Sequence, residues 1–238
     1  MVISMISTGK RIINGEKMTL AFLGDSVTQG CFEFVNGYKD TSTRPEEAFH
    51  SLLKKYIKEK YDIDVEILNA GVSGNFSKDG LARLQQDVID KKPDFCCVMF
   101  GTNDVTNSKR RNADELLKEY SSNMRQIAKI LIENQIEVVF MTPTMLCTRK
   151  VPSFKWFWGY VHSVFRDIQN SGKMDLYVEA EKAVAKELNI PVADAYAVWK
   201  ELAAEGVDTT AMLANGMNHP TPEAHNIFKE ELIKVLFG

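Results

Sequence analysis

Apolar residues along this chain gather in short compact runs: "MTLAFL" (18–23), "VEILNA" (65–70), "FCCVMF" (95–100), "EVVFMT" (137–142) and "PVADA" (191–195). Runs that are apolar at successive positions suit strands covered on both faces, as in a parallel sheet. Between them the spacing changes to three and four. In 45–60, Phe49, Leu52, Leu53, Tyr56 and Ile57 fall on one helical face, and similar stripes cross 78–91 and 112–134. Further helices are expected over 172–188, 196–204 and 222–237, the last opening on a threonine and a proline. This alternation predicts an α/β fold with a five-stranded parallel sheet, in one domain spanning 1–238. Right-handed crossovers would then bring every strand's C-terminal end to one edge, where ligands bind in open sheets.

One stretch breaks the rhythm. Residues 143–171 follow a strand, contain Pro143 and Pro152, and place Trp156, Phe157, Trp158 and Tyr160 close together. A long connection of this kind is expected to be a lid or an insertion. Its aromatic residues suit either a packed lid or subunit contact, or a surface on which a sugar or an acyl group rests.

Composition narrows the class without naming a chemistry. With 45% hydrophobic and 26% charged residues, the chain has an ordinary globular make-up. The balance of 29 basic and 32 acidic residues leaves a net charge of -3, so no general basic field exists to hold nucleic acid. The run "KRR" at 109–111 reads as solvated surface. Lys10, Arg11, Glu16 and Lys17 interrupt the apolar N-terminus before a signal-peptide core or a membrane span develops, which makes a cytoplasmic location the expectation. Cys31, Cys96, Cys97 and Cys147 form no CxxC pair of the kind that binds zinc, and Cys96 and Cys97 read as buried thiols in a reducing compartment.

Four polar blocks stand out: "GDSVTQG" (24–30), "GVSGN" (71–75), "GTNDV" (101–105) and "NHP" (218–220), the first three directly after predicted strands. A serine at a strand-to-helix junction has its own N–H where negative charge is stabilised. Gly74 permits close backbone approach, and Asn103 offers a neutral amide donor, so both suit an oxyanion site beside Ser26. A base is still required. Of His50, His162, His219 and His225, the first and last lie within predicted helices, His162 belongs to the aromatic stretch, and His219 stands in a loop before Pro220. Each block alone also has a structural reading, as a turn, a glycine-rich connection or a helix cap.

Their joint order resembles the SGNH hydrolase superfamily, the GDSL esterases and lipases, from Gly24 to His219. The resemblance implies Ser26 as nucleophile, Gly74 and Asn103 with the Ser26 N–H as oxyanion hole, and His219 as base. It also implies a flavodoxin-like three-layer α/β/α sandwich and ester hydrolysis with no metal or organic cofactor. One position departs: the family's aspartate three residues before the histidine is replaced by Gly216. Asn215, Asp208, Asp194 and a backbone carbonyl are the candidates to orient His219 instead.

"GDSVTQG" with the "NGMNHP" loop resembles bacterial members that deacetylate carbohydrates. The substrate expected is a small-molecule or oligosaccharide ester with a short acyl group, acetyl above all, and a homo-oligomer is compatible with this reading. The alternatives are a lysophospholipase or thioesterase acting on longer chains, or a catalytically silent carbohydrate-binding domain. A flavin or nucleotide site has no GxGxxG or P-loop to support it.

Overall fold

The computed structural model describes residues 5–106 and 112–238; the basic run 109–111 lies outside them. The elements in chain order are α1 (Ser7–Ile13), β1 (Thr19–Gly24), α2 (Ser26–Gln29), β2 (Cys31–Val35), β3 (Asp40–Thr43), α3 (Phe49–Tyr61), β4 (Glu66–Gly71), α4 (Ser77–Asp87) and β5 (Phe95–Met99). There follow α5 (Thr102–Thr106), α6 (Ala113–Glu133), β6 (Glu137–Met141), α7 (Trp156–Asn170), α8 (Lys173–Leu188), β7 (Val192–Ala193), α9 (Ala195–Ala204) and α10 (His225–Phe237).

Five strands form one parallel sheet in the order β4-β1-β5-β6-β7, the flavodoxin-like arrangement. Alternate strand residues feed two separate cores. Ala21, Leu23, Cys96, Val98, Val138 and Phe140 pack with α4, α6, α8 and α9, whereas Leu20, Phe22, Cys97, Met99, Val139 and Met141 meet α1, α3 and α10. Burial on both faces is the physical reason these runs are apolar at every position. Helix α6 shows the complementary pattern: Leu116, Tyr120, Met124, Ile127, Ala128 and Leu131 make its buried stripe, and the Asn112 side chain caps its first turn.

The differences from the sequence reading have local causes. The fifth strand is only Val192–Ala193, because the Asp194 carboxylate accepts from the Ala197 N–H and starts α9 at once. Thr221 and Pro222 form a turn that precedes α10, which begins at His225. Residues 45–47 form a separate 3₁₀ turn ahead of α3. The stretch 143–171 is not one long loop: its second half is α7, anchored by Val164, Phe165 and Ile168 against the α6/α8 core. Its aromatic residues diverge: Trp156 is 94% exposed, while Phe157 packs edge to face on Trp158, which leans on Phe34 and Tyr38. The hairpin β2–β3, which the sequence reading did not anticipate, forms a two-stranded antiparallel sheet beside the main one. No helix among the described residues is long and apolar enough to cross a membrane.

Candidate active site

Three of the four polar blocks meet at the C-terminal edge of the sheet, around the switch point between β1 and β5. After β1, the Asp25 carboxylate accepts from the Val27 N–H at 2.9 Å and caps the short helix α2, placing Ser26 at its first position. The block after β4 is held against this turn. The Val72 N–H donates to the Gly24 carbonyl at 3.1 Å, and the Ser73 N–H donates to the Gln29 side-chain oxygen at 2.7 Å. Gly74 follows with φ +77°, a left-handed conformation that favours glycine. Arg83 forks across both blocks, donating to the Asn75 side chain at 2.7 Å and to the Gly24 carbonyl at 2.9 Å.

Asn103 sits in α5, directly after β5. One amide hydrogen goes to the Asn75 carbonyl at 2.9 Å; among the described residues the amide's other hydrogen bond is a long 3.5 Å approach to Asp25. The second hydrogen is therefore the one a substrate oxygen can take. Beneath, Asp104 accepts from the Ser77 N–H and, at 2.6 Å, from its hydroxyl, tying α4 to α5.

The fourth block completes the arrangement. Ser26 and His219 are only 3% and 6% exposed, and Ser26 Oγ lies 2.9 Å from His219 Nε2. On the other side of the ring, Nδ1 lies 2.9 Å from the Phe32 carbonyl oxygen. A carbonyl only accepts, so Nδ1 carries the proton and Nε2 is free to accept from the serine hydroxyl. Burial holds the imidazole neutral, pushing its pKa down to about 4 against the opposing pull of the Phe32 carbonyl.

None of the three orienting side chains considered above touches the His219 ring. Asn215 works on the loop instead: its side-chain oxygen accepts from the N–H groups of Met217, Asn218 and His219 at 2.9–3.0 Å. Asp208 pairs with Arg149 at 2.6 Å, and Asp194 pairs with Lys182 at 2.6 Å while capping α9. The remaining candidate, a backbone carbonyl, is the group found at Nδ1. Gly216, where the aspartate was expected, has φ +67°.

The model of the GDSL-like lipase/acylhydrolase family matches residues 22–227 of the chain. The chain belongs to that family. It is a carboxylic ester hydrolase. Over 241 residues it is 27% identical to the acetylxylan esterase of Geobacillus stearothermophilus, covering 94% of this chain and 95% of that one. It is also 27% identical over 234 residues to a lipoprotein of Bacillus subtilis (strain 168) named YqeF, covering 89% and 94%. In three dimensions it resembles the same acetylxylan esterase, at TM-score 0.70 and 22% identity over 94% of this chain and 96% of that one. An α/β hydrolase from the metagenome of Lake Arreo follows at TM-score 0.69 and 19% identity, covering 95% and 100%.

The other histidines of this GDSL-family chain are kept from the serine by packing. His50 bonds to the Thr28 carbonyl and the Ser51 hydroxyl, His225 accepts from the Phe49 N–H and stacks on Phe49, and His162 lies against Phe154 in α7. Among the described residues no group of His, Cys, Asp and Glu is placed to hold a metal ion. Cys96 and Cys97 are buried, and burial pushes the Cys96 thiol up to about 12. The sequence reading missed Phe32, Gln29 and Arg83. For Phe32 a signal was present: "FEFVNGY" carries an Asn-Gly pair beside apolar alternation, a hairpin pattern that would have placed β2.

Proposed function

We propose that Ser26 and His219 act as a catalytic dyad that removes short acyl groups, acetyl above all, from carbohydrate esters. The observation that carries this reading is the 2.9 Å contact between Ser26 Oγ and a His219 Nε2 whose tautomer is set from behind by the Phe32 carbonyl. His219 takes the Ser26 proton as Oγ attacks the ester carbonyl. The N–H groups of Ser26 and Gly74 and the free Asn103 hydrogen receive the developing oxyanion. Protonated His219 then gives its proton to the departing alcohol, leaving an acyl group on Ser26. Water, activated by the same imidazole, attacks the acyl-enzyme, and the acid leaves.

Variants of the Geobacillus stearothermophilus esterase described as catalytic mutants replace a serine, an aspartate and a histidine. Here the Phe32 carbonyl stands in for the carboxylate: it orients the ring but brings only a dipole, not a full charge, to the imidazolium. The name of that relative supports acetyl on a sugar as the substrate. Nitrophenyl esters of increasing chain length test the acyl part, with turnover expected to peak at acetate and an alcohol burst expected on rapid mixing. Ser26→Ala should lower kcat by at least about 10³-fold and abolish fluorophosphonate labelling. Undiminished hydrolysis by that variant refutes the dyad.

A further inference from the structure

A cavity of about 330 Å³ lies between the β2–β3 hairpin and the loop that leads to His219, and is lined by none of Ser26, Gly74, Asn103 or His219. Its wall on one side is the β2–β3 hairpin, through Glu33, Phe34 and Tyr38; on the other it is formed by Arg149, Phe154 and Thr210. Glu33 and Phe34 directly follow Phe32, whose carbonyl holds His219, and Asn215 and Gly216 in its floor belong to the loop that ends at His219. The cavity is thus built from the same two segments that position the base.

Its chemistry is that of a neutral, hydroxyl-rich ligand. The rings of Phe34, Tyr38 and Phe154 lie 5.5–6.4 Å apart, and Trp158 supports the first two from 5.1 and 5.7 Å. Its charges are already matched: Glu33 is forked by Arg44, and Arg149 is paired with Asp208. With these charges paired, a sugar can rest a C–H face on the rings and share hydrogen bonds with the charged groups at the rim. Two backbone features agree. Tyr38 lines the cavity at φ +69°, a left-handed conformation that is uncommon for a tyrosine. At Gly216 a Cβ would lie 3.3 Å from the Phe154 ring and 3.4 Å from Val151, so a side chain there would crowd the floor.

We propose that this cavity is a carbohydrate subsite that holds a sugar ring of the chain bearing the ester, outside the reacting unit. The proposal rests on the carbohydrate-ester reading above. It also gives the departure at 216 a purpose: glycine opens the subsite, and the Phe32 carbonyl takes over the orientation of His219.

The test compares wild type with Tyr38→Ala on nitrophenyl acetate and on acetylated xylotetraose, with thermal melts to confirm folding. Loss of one ring contact should raise KM for the acetylated tetrasaccharide about 3- to 10-fold and leave nitrophenyl acetate unchanged. Equal changes on both substrates, or none on either, overturn the subsite. Unacetylated xylotetraose separates the two readings. It should inhibit nitrophenyl acetate hydrolysis by wild type and about 3- to 10-fold more weakly by Tyr38→Ala, whether or not the acetylated sugar is turned over. If it does not inhibit, while the acetylated sugar is hydrolysed equally by wild type and Tyr38→Ala, the subsite is refuted and the esterase reading stands.

Discussion

At the scale of single residues, the buried titratable groups set the working pH. His219, held down to about 4 by burial, stays neutral and able to accept the serine proton well below pH 6.5. The acid limb of kcat/KM is therefore expected near pH 4, not near the ordinary histidine value. Asp25 shifts the other way: burial, with repulsion from Asp104, raises its carboxyl to about 7 in spite of the Val27 N–H. It sits 3.5 Å from the Asn103 amide, so its ionisation adds negative charge where the oxyanion forms. Turnover should fall roughly tenfold as pH rises through 7 to 9, and Asp25→Asn, which can still cap Val27, should flatten that limb. A pH profile of the variant matching wild type would show that Asp25 plays no such part. Gly216→Asp should not restore a triad. The His219 Nδ1 proton already has its acceptor, and a side chain at φ +67° is strained and crowds Phe154. The expected result is no gain in kcat and a loss of about 1–2 kcal/mol in denaturant melts.

At the scale of elements, the hairpin β2–β3 matters more than its size suggests, because its Phe32 carbonyl is the only support behind the catalytic ring among the described residues. Arg44 clamps that strand. Its guanidinium lies 4.5 Å above the Phe32 ring, forks onto Glu33 at 2.7 and 3.1 Å, and reaches Glu47 at 2.9 Å. Arg44→Gln should lower kcat on nitrophenyl acetate about tenfold with little change in KM, since a small displacement of a catalytic group is costly. Lysine should not rescue it, having no planar fork. Wild-type kcat in Arg44→Gln would show that the strand holds its place unaided. The hairpin went unread in the sequence because its strands are short and half exposed, and their alternation carries a far weaker signal than the buried runs of β1, β5 and β6. Helix α7 was obscured for a related reason: Trp156, Phe157 and Tyr160 near its start are exposed, so they contradict the buried stripe that Val164, Phe165 and Ile168 define.

At the scale of the whole molecule, burial couples the site to stability. Glu181 is fully buried beside Tyr120, and desolvation raises its carboxyl well above the ordinary range. The native state then keeps a proton that the unfolded chain releases above about pH 4.5, so this group costs more stability as pH rises. Glu181→Gln should raise the melting temperature at pH 8 by more than at pH 5; an equal change at both would contradict a protonated Glu181. His50, His219 and His225 act with the opposite sign. Burial lowers their pKa values to about 4, 4 and 3, so the unfolded chain gains protons first as pH drops below 6.5, and stability is lost toward pH 4.

By itself the sequence determined the sheet and pointed to the groups proposed to react. Strands buried on both faces must be apolar throughout, and Ser26, Gly74, Asn103 and His219 carry the side chains or backbone freedom that the proposed chemistry calls for. Tertiary structure alone decided what stands behind His219 and what lies beside it. Every residue has a carbonyl, so nothing in the letters marks Phe32, 187 positions away, as the one whose oxygen meets Nδ1. The cavity is likewise the product of three segments distant in the chain, each unremarked until the fold closes them around one space.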